Sequence, residues 1–252
     1  MKDTLRQIAV VVVILATIII NILANALPIN GLNTGQISDG FHVYFVPAGY
    51  VFSIWGIIYI GLIAYAIYQA LSAQKTNPRL QATGWWVVLG GLANSAWIFL
   101  WHYQQFVATL GAMLILLATL IAVYLRLGVG RVKVPAAENW AVRIPFSIYL
   151  GWITVATIAN ISDVLDFVKW NRFGIGEAIW MAIVLGVVVV IGGLMNFSRR
   201  DVAYTAVLLW ALAGIVVKFP AEGLVTLATW TAFILLAVTL AVALAFGRSA
   251  TR

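Results

Sequence analysis

The side chains that carry the most chemical information are asparagines and tryptophans set inside long apolar runs. Asn21 and Asn25 stand one helical turn apart, Asn94 and Ser95 sit in a later run, and Thr154, Thr157 and Asn160 in another. An amide in hydrocarbon is costly unless it finds a partner, so each position serves either as glue between helices or as the polar lining of a cavity. Trp55, Trp97 and Trp152 lie among these residues. Taken singly, each reads as core packing, but together they offer flat apolar faces on which a planar ligand can stack.

Groups for catalysis are scarce. Cysteine is absent, which excludes disulfides, thiolate metal sites and cysteine nucleophiles. No His/Glu metal spacing, phosphate loop or Ser/His/Asp set is visible, so no catalytic and no metal-binding residue is assigned. His42 and His102, the two histidines, read as exposed outer residues that could in principle give haem iron an axial ligand. Asp163 and Asp166 read as solvated positions beyond a span. Lys218, followed at once by Phe219 and Pro220, reads as a surface lysine that snorkels.

The elements that must position these residues follow from composition. Of 252 residues 63% are apolar and 9% charged, against about 45–50% and about 25% in a soluble domain. Mean hydropathy is +1.03. Roughly 20 residues cross a bilayer core, so short loops and about eight crossings consume the chain. The expected fold is an all-α polytopic transmembrane bundle with spans at 5–27, 47–72, 83–104, 107–127, 142–161, 176–197, 201–218 and 223–246. Lys2 and Arg6 precede an apolar stretch longer than a signal peptide's, so the first span reads as a retained helix.

Charge orients the bundle. With the N-terminus inside, Lys2, Arg6, Lys75, Arg79, Arg126, Arg131, Lys133, Arg143, Arg199, Arg200, Arg248 and Arg252 fall on the cytoplasmic side, and only Lys169, Arg172 and Lys218 outside. This positive-inside bias puts both termini in the cytoplasm. The net charge of +7 then reflects contact with anionic membrane lipid. Nucleic acid is excluded as a partner, because the basic residues are divided among short segments. In this orientation most of the intramembrane polar residues lie in the outer half, which points to a cavity opening outward. Trp85, Trp86, Trp140 and Trp101 read as an interfacial belt.

Three stretches resemble a known family. Pro47-Ala-Gly-Tyr-Val-Phe-Ser-Ile-Trp-Gly-Ile-Ile-Tyr59 is similar to the second-helix signature of the TspO/translocator protein family, also called tryptophan-rich sensory proteins. Asn94-Ser-Ala-Trp97 resembles its third-helix Asn-x-x-Trp, and Pro145-Phe with Trp152, Ala156 and Asn160 resembles its fifth-helix pattern. The resemblance covers roughly 5–165 and divides the chain into a five-helix unit, 1–165, and three additional helices, 166–252. The chain departs from the family where Ala48 follows Pro47, and where Asp163 to Trp170 replaces a short ending after the fifth helix.

The resemblance implies an outer cavity capped by the loop between the first two spans. Carried over by motif, Trp55, Tyr59, Asn94, Trp97, Trp152 and Ala156 are expected to line it, with Asn160 near its mouth. It further implies a hydrophobic ligand of the tetrapyrrole or sterol class, with porphyrin or haem as ligand and no obligatory cofactor, and a role as sensor, regulator or carrier. A small-solute secondary transporter and a porphyrin-degrading membrane enzyme are the alternatives. Membrane lipid and a second copy of the chain, as a homo-oligomer, are the other expected partners. The expected location is the plasma (inner) membrane of a bacterium.

Overall fold

The computed structural model describes residues 1–27 and 29–247. Pro28 of the first loop, and Arg248 and Arg252 of the basic set, lie outside the described residues. All regular elements described are helical. They are α1 (Lys2–Ala26), α2 (Ile54–Ala70, entered through a tight turn at Gly49–Ser53), α3 (Pro78–His102), α4 (Phe106–Arg126), α5 (Ile144–Phe167), α6 (Glu177–Arg199), α7 (Val202–Lys218) and α8 (Leu224–Gly247). With their lead-in turns, all but α7 are long and apolar enough to cross a membrane.

The 17 residues of α7 rise about 25 Å, slightly less than the roughly 30 Å of hydrocarbon. This helix nevertheless joins the two ends of the bundle. Asp201, just before it, accepts from Tyr124 in the last turn of α4, and Lys218 at its end donates to Asp39 in the first loop. The chain is therefore an integral membrane bundle of about eight crossings. Helices suit this solvent because each satisfies its own backbone groups.

Local signals explain where the helices start. Asn77 accepts from Arg79 N at 3.1 Å and Pro78 occupies the first turn, so α3 begins earlier than hydrophobicity alone indicates. Before α5, a wide π-type turn at Asn139–Arg143 precedes Pro145, whose ring and missing N–H disfavour regular helix in the turn before it. That turn aims the buried Arg143 guanidinium at the Leu127 and Val132 carbonyls. At the other end α5 continues to Phe167. Asp163 is consequently inside a helix and only 3% exposed, a correction to its reading as a solvated residue.

Helix α7 packs on both α5 and α8, and α6 packs mainly on α8. Two glycines let α7 and the earlier helices approach closely. A Cβ at Gly151 would lie 2.9 Å from the Tyr204 carbonyl oxygen, and one at Gly214 would strike Val51 and come within 3.0 Å of Pro47 Cβ. The backbone exploits that proximity, with Ala48 N donating to Gly214 O at 3.1 Å. The first loop is thereby pinned to the later helices. On the outer flank of α6, Ile183, Val187, Val190 and Leu194 form a helical stripe that faces lipid.

Asp201 fixes the start of α7. Its carboxylate accepts from Ser147 Oγ at 2.6 Å, Tyr124 OH at 2.8 Å and Tyr204 N at 3.1 Å, the last as a helix cap. Asp201→Ala removes a cap and leaves buried hydroxyls unpaired, and is expected to lower stability by about 2–4 kcal/mol. Thermal unfolding in detergent measures this, and an unchanged midpoint would contradict it.

Candidate functional site

A cavity of about 640 Å³ lies between α1, α2, α3, α4 and α5, beneath the first loop. Its wall contains Trp55, Tyr59, Asn94, Trp97, Trp152 and Ala156 together with Asn21, Asn25, Phe52 and Met113. The aromatic rings are locked against each other. Trp55 stacks on Tyr59 at 5.6 Å and meets Trp152 edge-on at 6.2 Å, while Phe52 meets Trp152 edge-on at 5.7 Å. Offset and edge-on pairs of this kind hold rings in fixed orientations, leaving some faces for a ligand. Ala156 presents only a methyl group where a larger residue would fill the space.

Two polar chains set the register of the wall. Asn21 Nδ2 donates to Thr17 O at 2.8 Å and to Asn94 Oδ1 at 2.7 Å, and Asn94 Nδ2 donates to Tyr149 OH at 3.1 Å. This chain ties α1, α3 and α5 together at one depth. In the second, Trp97 Nε1 donates to Asn160 Oδ1 at 3.3 Å, and Asn160 Nδ2 donates to Thr109 Oγ1 at 2.9 Å. Asn160 is buried behind Trp97 and is not among the lining residues. The structure gives it the task of orienting that indole. Trp152 Nε1 is different, being buried with no hydrogen-bond partner among the described residues.

The roof is the first loop. A short helix at Thr34–Ser38 is closed by reciprocal bonds between Asn33 and Gln36, a capping box. Asn33, Thr34, Gly35 and Asp39 all face the cavity. The end of α3 holds this roof in place. Trp101 Nε1 donates to Thr34 O at 3.2 Å, and the His102 ring lies 3.1 Å from Thr34 Oγ1 and 3.2 Å from Ile29 O. Trp101 stacks on Trp97 at 5.1 Å. Both residues are almost fully buried, which corrects the readings of Trp101 as a belt residue and His102 as exposed. Trp85, Trp86 and Trp140 are exposed, with the Arg126 guanidinium 4.7 Å over Trp86.

The resemblance implied the first loop as cap but named none of its residues, and sequence reasoning passed over Phe52 and Met113 as lining. Phe52 stands within the second-helix motif, three residues before Trp55, so helical spacing was a usable signal there. Met113 and the roof had none, because their position depends on how distant segments meet.

The arrangement defines a class: a polytopic helical membrane protein with an aromatic-walled cavity under an ordered loop. The family model described as TSPO-like protein matches residues 7–245, and the chain belongs to that family. The match runs on through α6, α7 and most of α8, well beyond the stretches that carry the motifs. No curated protein and no solved structure matches the chain.

If the Asn21–Asn94 bond sets helix register, the two residues should be energetically coupled. A double-mutant cycle of Asn21→Leu and Asn94→Leu is expected to give about 0.6–1.7 kcal/mol of coupling, the range for intramembrane polar pairs. Strictly additive losses in an unfolding assay would show that the pair does not act as a unit.

Proposed function

We propose that this protein is a TspO-type membrane receptor or carrier that takes a flat hydrophobic ligand of the tetrapyrrole class into the cavity beneath the first loop. The observation that carries this reading is the cavity wall itself, with Trp55, Trp97 and Trp152 around about 640 Å³. That volume is within the range of small-molecule sites, roughly 300–1,000 Å³. Neither histidine is among the described lining residues, and His102 is engaged by the roof. Binding through the macrocycle face therefore fits these residues better than axial ligation of a haem iron.

The basic residues support an orientation. Arg6 donates to Lys75 O, Arg79 pairs with Glu138, Arg143 bonds Leu127 O, and Arg199 bonds Val129 O, which gathers the arginine-rich segments at one end. Lys169, Arg172 and Lys218 belong to the other end, with the roof. By the positive-inside rule the roof and cavity mouth face outward and both termini are cytoplasmic, in the plasma membrane of a bacterium.

Replacing Trp55 or Trp152 by Leu keeps apolar bulk and removes the ring. Stacking contributes roughly 0.5–1.5 kcal/mol beyond area burial, so porphyrin affinity should fall about three- to ten-fold. Unchanged affinity in both folded variants, by spectral titration with protoporphyrin, would reduce these rings to core packing. For orientation, the chain lacks cysteine, and Leu32 and Ala136 are exposed at opposite ends. An impermeant thiol reagent applied to intact cells should label Leu32→Cys and leave Ala136→Cys silent; the reverse pattern would invert the topology.

A further inference from the structure

Asp39 belongs to two hollows at once. It lines the aromatic cavity, and it lines a shallower hollow of about 310 Å³ formed by the first loop, the start of α6 and the end of α7. Lys218 lines the outer hollow, and its Nζ donates to Asp39 Oδ1 at 3.1 Å. Among the described residues of the two linings, Lys218 is the one lysine or arginine, and the carboxylates are Asp39 and Glu177. Glu177 is engaged elsewhere, by Arg172 at 2.9 Å. The hollow that adjoins the cavity through Asp39 thus carries one lysine, paired with that aspartate.

That pair is open to exchange. The Asp39 side chain is 71% exposed and that of Lys218 27%. An ion pair so exposed is weak and screened, so the carboxylate of a ligand already held by its apolar body displaces Asp39 from the ammonium group. The position of Lys218 is also set by backbone packing. Helix α7 is seated on the lead-in to α2 through Gly214, and Trp210 Nε1 donates to Val51 O at 3.1 Å.

We propose that Lys218 is the docking cation for an anionic group on the cavity's ligand. The apolar body of the ligand lies among Trp55, Trp97 and Trp152, and a carboxylate at its edge takes Lys218 Nζ in place of Asp39. The inference rests on the ligand-binding reading of the cavity and specifies its class: a flat amphiphile with a peripheral carboxylate. Such a ligand cannot bring its charge against the indole wall without losing its hydration. The charge must stay at the mouth, where Asn25, Asn33 and Thr34 are neutral and Lys218 is the ion of opposite sign. Selectivity for acidic over neutral ligands then comes from α7, outside the five-helix unit that forms the wall.

The test uses the full-length purified protein and two probes, protoporphyrin IX and its dimethyl ester, which share a macrocycle and differ in charge. Affinities are compared for the wild type, Lys218→Met and Asp39→Asn. Lys218→Met should weaken the free acid about five- to ten-fold, one charge-assisted hydrogen bond at a partly exposed site, and leave the ester within about twofold. Asp39→Asn, which removes the competing carboxylate, should strengthen the free acid relative to the ester. Retained ester binding also shows that each variant is folded. Equal losses for both probes in Lys218→Met, or no loss for either, would overturn the assignment. Failure of the wild type to bind either probe would remove the cavity reading, and the inference with it.

Discussion

Hydrocarbon offers an amide no partner, and that constraint organises this molecule. Asn21 and Asn94 satisfy each other across the α1–α3 contact, and Asn94 continues to Tyr149 on α5. Asn160 does the same for Trp97 and Thr109. Apolar side chains alone would let helices slide in lipid, because leucine packs against a lipid tail nearly as well as against another leucine. The buried amides remove that freedom. They fix the depth at which three helices meet, and with it the positions of the indoles one or two turns away.

The cavity exists because aromatic rings and amides hold its wall rigid from behind while the first loop roofs it. That loop is fastened on two sides. Trp101 and His102 secure it to the end of α3, and the Ala48–Gly214 bond and the Lys218–Asp39 pair secure it to α7. The three later helices therefore do more than add lipid-facing area. Through Gly151 and Gly214 one of them comes close enough to the five-helix unit to reach the roof. Its roof-side end is also where carboxylates gather, with Asp39, Asp166 and Glu222 bonded to Lys218 Nζ, His42 N and Tyr44 OH in turn.

Composition alone dictates the solvent and the fold class. With 63% apolar residues the chain can hide its surface only in lipid, and lipid admits a closed set of backbone structures. The motifs around Trp55, Asn94 and Trp152 were legible because helical spacing is local, so residues three or four apart share a face wherever the helix goes. The same spacing pointed to Asn21 and Asn25 as a pair.

What those faces meet is set by the packing of distant segments. Asn160 carried the same motif signal as Trp152, yet one stands behind the wall and the other in it. Trp101 and His102 had the sequence signature of a membrane surface and are buried by a roof folded over them. Asp201, which no sequence motif marked, and Lys218, read as a snorkelling surface lysine, stand one at each end of α7 and tie that helix to α4, α5 and the first loop. The physical reason is common to all of these. Periodicity fixes the direction of a side chain relative to its own helix axis, whereas burial and pairing depend on which other segments, up to about 180 residues away, are brought against that face by packing.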